Sequence, residues 1–379
     1  MQHIYLDNAA STKPHPQVLK TIDDAQQYYG NPSSIYSMGK KASELIENSR
    51  QIIADYINAQ PQEIVFTGGG TEANSLAITG YVRANNKNGR HIISQPTEHA
   101  SVLNTMRYLQ RNGYDITYLP VDKNELINLR QLENAICDDT ILISIMFANN
   151  ETGVLQPVYD IGRIAQKYGI CFHTDAVQAL GHCDIDVDKL GISLMSMSAH
   201  KIYAPKGVGA LYVREGIKLE PLFHGAGQEF GLRSGTENVQ GITGMGKAVE
   251  LIKSGIMRNN YQALKNRLAD GILSVIPDTW INSSATNSLH NIVNIGFKDV
   301  DNETLITMLS AKGVYISAGS ACMSTHTEPS HVLTAMGLPV NLAHNSVRFS
   351  FGIYNTMDEI NYVLNILQEI IFNIRKVKL

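Results

Sequence analysis

Lys201 is the residue whose surroundings most clearly suggest chemistry. It ends the segment Leu194-Met195-Ser196-Met197-Ser198-Ala199-His200-Lys201, which consists mainly of apolar and small residues. Removing an ammonium group from water is costly and lowers its pKa, and the neutral amine that results is a nucleophile. Lysines activated in this way form Schiff bases with aldehyde cofactors such as pyridoxal phosphate (PLP). The segment therefore predicts a lysine that holds such a cofactor.

Asp175 is the acidic residue expected to pair with this lysine. It directly follows the strand-like residues 170–174, and Gln178 comes three residues later, so both side chains are expected in the crevice above a sheet. A carboxylate that faces a pyridinium keeps the ring nitrogen protonated, which lets the ring accept electrons. Taken alone, Asp175 is more typical of a helix cap. Its pairing with Lys201, at the end of the next strand, favours the cofactor role.

A glycine-rich turn offers a place for a phosphate group. Gly68-Gly69-Gly70-Thr71-Glu72 follows a strand and opens the helical segment 73–85. Free backbone N–H groups and the helix dipole can bind an anion at such a position. The turn lacks the Gly-Lys-Ser/Thr of a P-loop, and residues 225–231 have the wrong spacing for a dinucleotide fingerprint. A tight turn without a ligand is the alternative.

Other polar residues lie near predicted strand ends. His99 and His200 do so, and a core histidine is the alternative for each. Residues 149–153 directly follow the longest buried strand and could form a simple turn. Arg348 lies in a strand-like alternation, where a surface arginine is the alternative. A guanidinium group is nevertheless well suited to bind a substrate carboxylate with two hydrogen bonds.

Cys322 differs in setting from the other three cysteines, which lie in or beside predicted elements and are expected to be packing residues. Residues 318–329 are polar and small and predict a loop, which suits a reactive thiol better than core packing does. An unperturbed thiol, with a pKa of about 8.5, needs a nearby cation or histidine to become a thiolate at neutral pH. A metal site made of Cys322, His326 and His331 is a minor alternative, and no metal is expected.

These residues need a scaffold of alternating strands and helices. Seven runs rich in branched residues predict strands at 64–67, 91–94, 116–119, 141–147, 170–174, 194–198 and 209–213. Residues between them, such as Ala42, Leu45, Ile46, Ile52, Ile53, Tyr56 and Ile57, are spaced for one face of a helix. The alternation predicts a mostly parallel, doubly wound α/β sheet whose ligands gather beyond the carboxyl ends of the strands.

The pattern changes after residue 213. A glycine-rich stretch at 224–235 precedes a long helical pattern from about Val239 and then a smaller unit. Thr356 and Glu359 have capping-box spacing at the start of the last helix. Its expected buried stripe comprises Ile360, Val363, Leu364, Leu367, Ile370, Ile371 and Ile374. We place the domain break near residue 250.

Composition excludes several classes of protein. The 379 residues are 44% hydrophobic and 17% charged, with a net charge of −4, so there is no basic surface of the kind that binds nucleic acid. No apolar run is long enough for a membrane helix, and the first residues do not resemble a secretory signal. Four cysteines in so long a chain do not predict a disulfide framework. We therefore expect a soluble cytoplasmic protein that binds neither nucleic acid nor a membrane.

The motifs, taken together and in order, resemble the cysteine desulfurases, a branch of the class V aminotransferase family of PLP enzymes. The resemblance extends over almost the whole chain. Its motifs are residues 5–12, 30–34, 70–74, 97–99, 149–153, 175–178, 198–201, 233–236 and 319–322. Each motif is weak alone, whereas the ordered set is highly specific.

The resemblance implies the PLP-dependent transferase fold, fold type I. The expected architecture is a mostly parallel seven-stranded sheet flanked by helices, with a smaller α+β C-terminal domain. We expect a large PLP-binding domain at 14–250 and a small domain at 251–379, the latter joined by the N-terminal residues 1–13.

It also implies roles for individual residues. Lys201 would hold PLP, with Asp175 on the ring nitrogen and Gln178 on the ring hydroxyl. The phosphate would be bound by Thr71, Ser198 and His200, and Gly70 and Asn150 are further expected cofactor contacts. Thr236 would complete the phosphate site of the other subunit, so the resemblance implies a homodimer.

The implied reaction converts L-cysteine to L-alanine. His99 would stack on the ring and move protons, while Asn150 and Arg348 would bind the substrate carboxylate. The substrate would displace Lys201, which could then move protons. The Cys322 thiolate would attack the substrate sulfur and become a persulfide, a reversible carrier.

The surroundings of Cys322 resemble the long-loop branch of the family, which passes sulfur to iron–sulfur scaffolds or tRNA-thiolating enzymes. Met323 departs from the hydroxyl residue often seen next, and His326 adds a polar group, so the acceptor stays open. A selenocysteine lyase or an aminotransferase of the same fold would keep Lys201 and Asp175 without depending on Cys322. A sulfur- or iron-binding assembly protein is the non-enzymatic alternative.

Overall fold

The computed structural model describes residues 3–257, 259–284, 286–319 and 329–377. Seven of the strands named next form its central sheet, and the others lie outside that sheet. The strands are β1 (Ile4–Tyr5), β2 (Ile64–Thr67), β3 (His91–Ser94), β4 (Asp115–Tyr118), β5 (Thr140–Ser144), β6 (Cys171–Asp175), β7 (Leu194–Ser198), β8 (Gly209–Val213), β9 (Thr279–Ile281), β10 (Ile292–Phe297), β11 (Val314–Tyr315) and β12 (Ser346–Ser350). The helices are α1 (Pro16–Ala25), α2 (Ser37–Ile57), α3 (Gly70–Ser75), α4 (Tyr81–Ala84), α5 (Ala100–Arg111), α6 (Leu129–Ala135), α7 (Val158–Tyr168), α8 (Val239–Lys253), α9 (Tyr261–Val275), α10 (Asn302–Ala311), α11 (His331–Ala335), α12 (Val340–Ala343) and α13 (Met357–Val377).

The central sheet has the strand order β2-β8-β7-β6-β5-β3-β4. Only β8 runs antiparallel to its neighbours, so the prediction of a mostly parallel seven-stranded sheet is confirmed. The run predicted to extend to residue 147 ends as a ladder strand at Ser144. The chain nevertheless continues beside β6, because the backbone N–H of Phe147 donates to the carbonyl of Asp175 at 3.0 Å.

Six of the seven strands are buried on both faces, which explains their largely apolar runs, while β4 at the edge of the sheet is partly exposed. Alternate residues enter two different apolar clusters: Phe66, Ile143 and Met195 belong to one, and Val65, Leu142 and Leu194 to the other. Because successive side chains on a strand point to opposite faces, the two clusters cover the two sides of the sheet. Helices on both sides therefore hold the sheet rigid beneath the residues that follow its strands.

The helical segment predicted at 73–85 begins earlier and is irregular. Helix α3 starts at Gly70, after Gly69 with a φ of +151°, a backbone conformation that favours glycine. A π-helical turn, Leu76–Gly80, joins α3 to α4, and all five of its residues are buried. The early start places the glycine-rich turn itself at the first turn of the helix.

A second apolar core lies around the three-stranded sheet β12-β10-β9. Strand β1 pairs in parallel with β11, and Ile4 and Leu6 enter this core together with residues from α9, α10 and α13. The N-terminal residues thus pack with the C-terminal part of the chain. The domain boundary near residue 250 stays a prediction.

Helix α13 begins as its sequence predicts. The backbone N–H of Thr356 donates to Glu359 Oε2 at 3.1 Å, and the backbone N–H of Glu359 donates to Thr356 Oγ1 at 3.3 Å, which is a reciprocal capping box. The predicted apolar stripe is buried throughout. Across the described residues, no helix combines the length and apolar character that a bilayer crossing requires.

Candidate active site

A cavity of about 160 Å³ opens beyond the carboxyl ends of the parallel strands. This is where ligands bind in open α/β sheets, because side chains that follow neighbouring strands converge there. The residues that line the cavity are Ala10, Gly70, Thr71, Asn74, His99, Ser101, Met146, Ala148, Asn150, Asp175, Val177, Gln178, Ser198, His200, Lys201 and Arg348. Ten of the site residues predicted from the sequence are therefore brought together.

Lys201 follows β7 in the short 3₁₀ turn Ala199–Lys201 and is half-buried at the edge of the cavity. The side chain is therefore not fully removed from water, because it leaves the apolar strand and enters the cavity. Lys201 Nζ donates to the carbonyls of Ala9 at 2.6 Å and Ala10 at 2.7 Å. Gln178 Nε2 donates to the same Ala9 carbonyl at 2.9 Å. The N-terminal segment thus helps to position both side chains.

Asp175 is the last residue of β6 and is 5% exposed. Its Oδ1 accepts the backbone N–H of Val177 at 3.0 Å, and its Oδ2 accepts the Asn74 amide at 2.6 Å. The alternative of a helix cap is wrong, because a turn rather than a helix follows the strand. The carboxylate is instead held at the cavity wall by two donors, which is how a site residue is kept in one orientation.

The predicted phosphate ligands lie along one side of the cavity, next to an open groove of about 620 Å³. A Cβ on Gly70 would lie 2.8 Å from Val177 Cγ2 and 3.4 Å from Ser198 Cβ, so only glycine fits this approach of helix to strand. Burial, together with the nearby ammonium groups of Lys201 and Lys206, lowers the pKa of His200 to about 4. His200 is therefore neutral at neutral pH and acts there through hydrogen bonds.

Arg348 comes from β12, outside the central sheet, and is 1% exposed. Its Nη2 donates to Asp7 Oδ1 at 2.6 Å, and its Nη1 donates to the Asn150 carbonyl at 2.6 Å. The alternative of a surface arginine is wrong. Arg348 Nε has no hydrogen-bond partner within the described residues, so a buried donor remains for an anion beside the cavity.

Asn74 and Ser101 line the cavity but were missed as site residues in the sequence. Asn74 lies one helical turn after Thr71, and Ser101 lies two residues after His99. Helical spacing from Thr71 would have identified Asn74, because residues three apart share a helix face. Ser101 carried no comparable signal. His99 itself is half-buried at the N-cap of α5 and lines the cavity, so it is not an ordinary core histidine.

Two predicted residues are not placed in this cavity. Thr236 is exposed and is absent from the lining of the cavity, and Cys322 lies outside the described residues, as does His326. His331 of the minor metal hypothesis instead contacts the Glu98 carbonyl through Nε2, at 2.9 Å. In the described ranges no group of three or more His, Cys, Asp or Glu side chains could hold a metal ion.

The other three cysteines differ in burial. Cys171 is buried and Cys183 half-buried, and burial raises the pKa of each thiol to about 12. Both therefore remain protonated and inert at neutral pH, as expected of packing residues. Cys137 is exposed, so its assignment as a packing residue is wrong.

The cavity fits PLP by the chemistry of its donors. A buried carboxylate, Asp175, is available for a pyridinium nitrogen, and Lys201 reaches the same space. The position without a side chain at Gly70 lies beside the hydroxyls of Thr71 and Ser198, as a phosphate group requires. These residues could hold the cofactor without rearrangement of the sheet.

Comparison with known proteins agrees with this arrangement. The family model for class-V aminotransferases matches residues 4–363. The chain belongs to the class-V aminotransferase family and, with it, to the PLP-dependent enzymes.

The relatives place the chain among the cysteine desulfurases of that family. It is 48% identical to cysteine desulfurase IscS of Methanosarcina thermophila, over 98% of this chain and 93% of the relative. It is 44% identical to cysteine desulfurase IscS of Dictyoglomus turgidum, over 99% and 96% of the two chains.

Solved structures show the same fold. A NifS-like protein superposes with a TM-score of 0.92 at 36% identity, over 98% of this chain and all (100%) of the other. A structure described as SspA in complex with cysteine gives a TM-score of 0.84 at 39% identity, over 93% of this chain and 100% of the other. The expected fold type is therefore confirmed.

Proposed function

We propose that this enzyme removes sulfur from L-cysteine, releases L-alanine and holds the sulfur on Cys322 as a persulfide. The observation that carries the proposal is the convergence of Lys201, Asp175 and Arg348 on one cavity. An amine, a buried carboxylate and a buried guanidinium are the groups needed for PLP chemistry on an amino acid. The neighbour in complex with cysteine supports the choice of substrate.

Arg348 orients the substrate. We assign its guanidinium to the substrate carboxylate, with Asn150 beside it, because Arg348 is buried and Nε still lacks a partner among the described residues. Asp7 and the Asn150 carbonyl hold the two terminal nitrogens and fix the plane of the group. A fixed guanidinium plane selects one orientation of a bound carboxylate.

When bound at this site, PLP supplies an electron-withdrawing ring that weakens bonds to the substrate's α-carbon. Asp175 would keep the ring nitrogen protonated, since Asn74 and Val177 hold its carboxylate in one orientation at the cavity. Lys201 Nζ takes and returns protons at the substrate, and His99 provides a second proton-transfer group at the same cavity.

The sulfur transfer balances without an added oxidant. The Cys322 thiolate forms a bond to the substrate sulfur as the bond between that sulfur and Cβ breaks. The electron pair of the broken bond stays with the carbon fragment, which Lys201 and His99 protonate to L-alanine. The products are alanine and a Cys322 persulfide, and a thiol acceptor can later take the terminal sulfur.

The acceptor is a second protein, and we propose an iron–sulfur scaffold or a tRNA-thiolation enzyme. We further propose a homodimer in which Thr236 completes the phosphate site of the other subunit. Its exposure, and its absence from the cavity of its own chain, support that arrangement. We place the enzyme in the cytoplasm.

Two variants test the assignment. Lys201→Ala removes the amine, so borohydride treatment of the PLP-loaded protein should no longer fix pigment to the chain. Cys322→Ser should keep the pigment but lose persulfide, detected by mass spectrometry, and lose steady-state formation of alanine from L-cysteine.

Cys137→Ser is the matched control, because Cys137 is an exposed thiol that no mechanism step uses. This variant should retain both persulfide and alanine formation. Parental alanine formation by Cys322→Ser would refute the sulfur-transfer role. Selenocysteine breakdown that survives in this variant while cysteine turnover fails would identify a selenocysteine lyase activity.

A further inference from the structure

Four polar side chains form a continuous hydrogen-bonded path from Asp175 to His99. Asp175 Oδ2 accepts Asn74 Nδ2 at 2.6 Å, and the same amide nitrogen donates to Ser101 Oγ at 2.9 Å. Ser101 Oγ lies 2.8 Å from His99 Nδ1, and the Ser101 backbone N–H donates to that same nitrogen at 3.2 Å. The path joins two residues of the mechanism through Asn74, which orients Asp175, and through Ser101, to which the mechanism gives no role.

The direction of every bond in this path follows from one fixed donor. A backbone N–H can only donate, so His99 Nδ1 accepts from Ser101 and carries no proton in the neutral ring. The Ser101 hydroxyl must then donate to Nδ1 and accept from Asn74. Both amide hydrogens of Asn74 are thereby used, one on Ser101 and one on Asp175.

The orientation of the Asn74 amide is equally determined. Asn74 is 1% exposed, and turning the amide over would place its oxygen 2.6 Å from a carboxylate oxygen of Asp175. In the orientation present, Oδ1 is buried without a hydrogen-bond partner in the described part of the chain. A buried oxygen without a partner is unfavourable, but the same orientation lets Asn74 Nδ2 donate to both Ser101 and Asp175. This points to a role for the path beyond packing.

We propose that Ser101 and Asn74 are positioning residues that hold His99 in the tautomer with its proton on Nε2. The inference rests on the proposed function, in which His99 transfers protons at the substrate. His99 then presents Nε2–H to the cavity and can pass that proton to the substrate as the Lys201 ammonium returns one to Nε2, while Nδ1 stays occupied by Ser101. The same path fixes the ring relative to Asp175, so both residues keep one geometry toward the cavity.

A purely structural role predicts something different. His99 is the N-cap of α5, and its Nδ1 accepts the Ser101 backbone N–H as a capping bond. That bond needs only the backbone of residue 101, so it can still form when the side chain changes. Removal of the Ser101 hydroxyl therefore separates the two roles, because the 3.2 Å capping bond can still form while the shorter donor to Nδ1, at 2.8 Å, is lost.

The test uses the PLP-loaded enzyme labelled with ¹⁵N-histidine, with the His99 signals assigned by their loss in His99→Gln. The parent should show a protonated Nε2 and an unprotonated Nδ1. In Ser101→Ala the 3.2 Å backbone bond is the one Ser101 donor left for Nδ1, so a fraction of the rings should break it and carry the proton on Nδ1. The value of kcat should fall by roughly two- to tenfold, the usual consequence of losing one hydrogen bond, with an unchanged KM. Ser101→Thr keeps the hydroxyl and should restore both readouts.

Thr105→Val is the matched control, since Thr105 lies one turn further along α5 and its hydroxyl donates to the Ser101 carbonyl rather than to His99. It should leave the tautomer and kcat unchanged. A parental ring with its proton on Nδ1, or a Ser101→Ala ring identical to the parental one, overturns the inference. The tautomer is read without turnover, so failure of the enzyme to form alanine would count against the proposed function alone.

Discussion

Replacing Arg348 by lysine should weaken the binding of L-cysteine while leaving the cofactor in place. Arginine offers a planar fork of donors, and two of its nitrogens are already committed to Asp7 and to the Asn150 carbonyl. Lysine has one ammonium group on a flexible stem. It can pair with Asp7 or with the substrate carboxylate, but it cannot reproduce the geometry of the fork.

The size of the effect follows from the bonds that are lost. A hydrogen bond to a charged group contributes about 1.5–3 kcal/mol in proteins. Since about 1.4 kcal/mol corresponds to a tenfold change in affinity, Arg348→Lys should lower kcat/KM by roughly 10- to 150-fold. The loss should appear mainly in KM, because the carboxylate is bound alike in the ground state and the transition state.

The assay measures alanine released at increasing concentrations of L-cysteine, with the cofactor absorbance recorded beforehand. Arg214→Lys is the matched control. Arg214 also donates to an aspartate, Asp188 at 2.8 Å, and to two backbone carbonyls, those of Val187 and Ile192, but it does not line the cavity. It should lose stability without a change in KM.

A KM for Arg348→Lys within twofold of the parental value would refute the assignment of this guanidinium to the substrate carboxylate. Equal increases in KM for both variants would show that the effect arises from general destabilisation. Only a rise confined to Arg348→Lys supports the geometry described here.

Three further predictions concern stability. Burial raises the pKa of Glu125 well above its ordinary value. The contribution of Glu125 to the free energy of unfolding is therefore complete below a pH of about 4.3 and declines as the pH rises toward the raised pKa. Glu125→Gln should therefore raise the thermal midpoint by at least about 2 °C at pH 8, with no gain at pH 4. Thr356→Ala removes one half of the capping box and should lower the free energy of unfolding by about 1 kcal/mol, measured by urea denaturation. Gly162→Ala would place a Cβ 1.9 Å from the Leu190 carbonyl oxygen, so α7 must shift, and stability in the same urea assay should fall by about 1–3 kcal/mol or more.

Each of these predictions has a contrary outcome. A gain for Glu125→Gln that is as large at pH 4 as at pH 8 would mean that ionisation of Glu125 is irrelevant to stability. An unchanged urea midpoint in Thr356→Ala would show that the capping box contributes nothing measurable. Parental stability in Gly162→Ala would mean that the contact between α7 and residue 190 relaxes freely.

The central sheet could be predicted because its strands are locally encoded. The strands at 64–67, 91–94, 194–198 and 209–213 are short runs buried on both faces, and their predicted bounds match the ladder to the residue. The ends of strands were harder to predict where the chain stays extended after pairing stops, as it does after Ser144. The π-helical turn between α3 and α4 left no signal, because its residues other than Thr79 are apolar, as in many buried helices.

Much of the site was also readable, because residues that follow parallel strands must meet at one edge of the sheet. Lys201, Asp175 and His99 were identified in this way. Arg348 was a candidate from its residue type, and the resemblance gave it the substrate carboxylate, while its contacts with Asp7 and Asn150 depend on packing between distant parts of the chain. The exposure of Cys137 was not predicted, because its burial depends on which elements cover it.

The sequence by itself determined the alternation of strands and helices and the order of the chemical groups, since both depend on local patterns of side chains. Only the tertiary structure decided that the N-terminal carbonyls of Ala9 and Ala10 receive Lys201, and that Asn74 and Ser101 connect Asp175 to His99. These contacts join residues from 2 to 192 positions apart. Hydrogen-bond direction and distance depend on how the elements pack, and no local pattern of residue types specifies that packing.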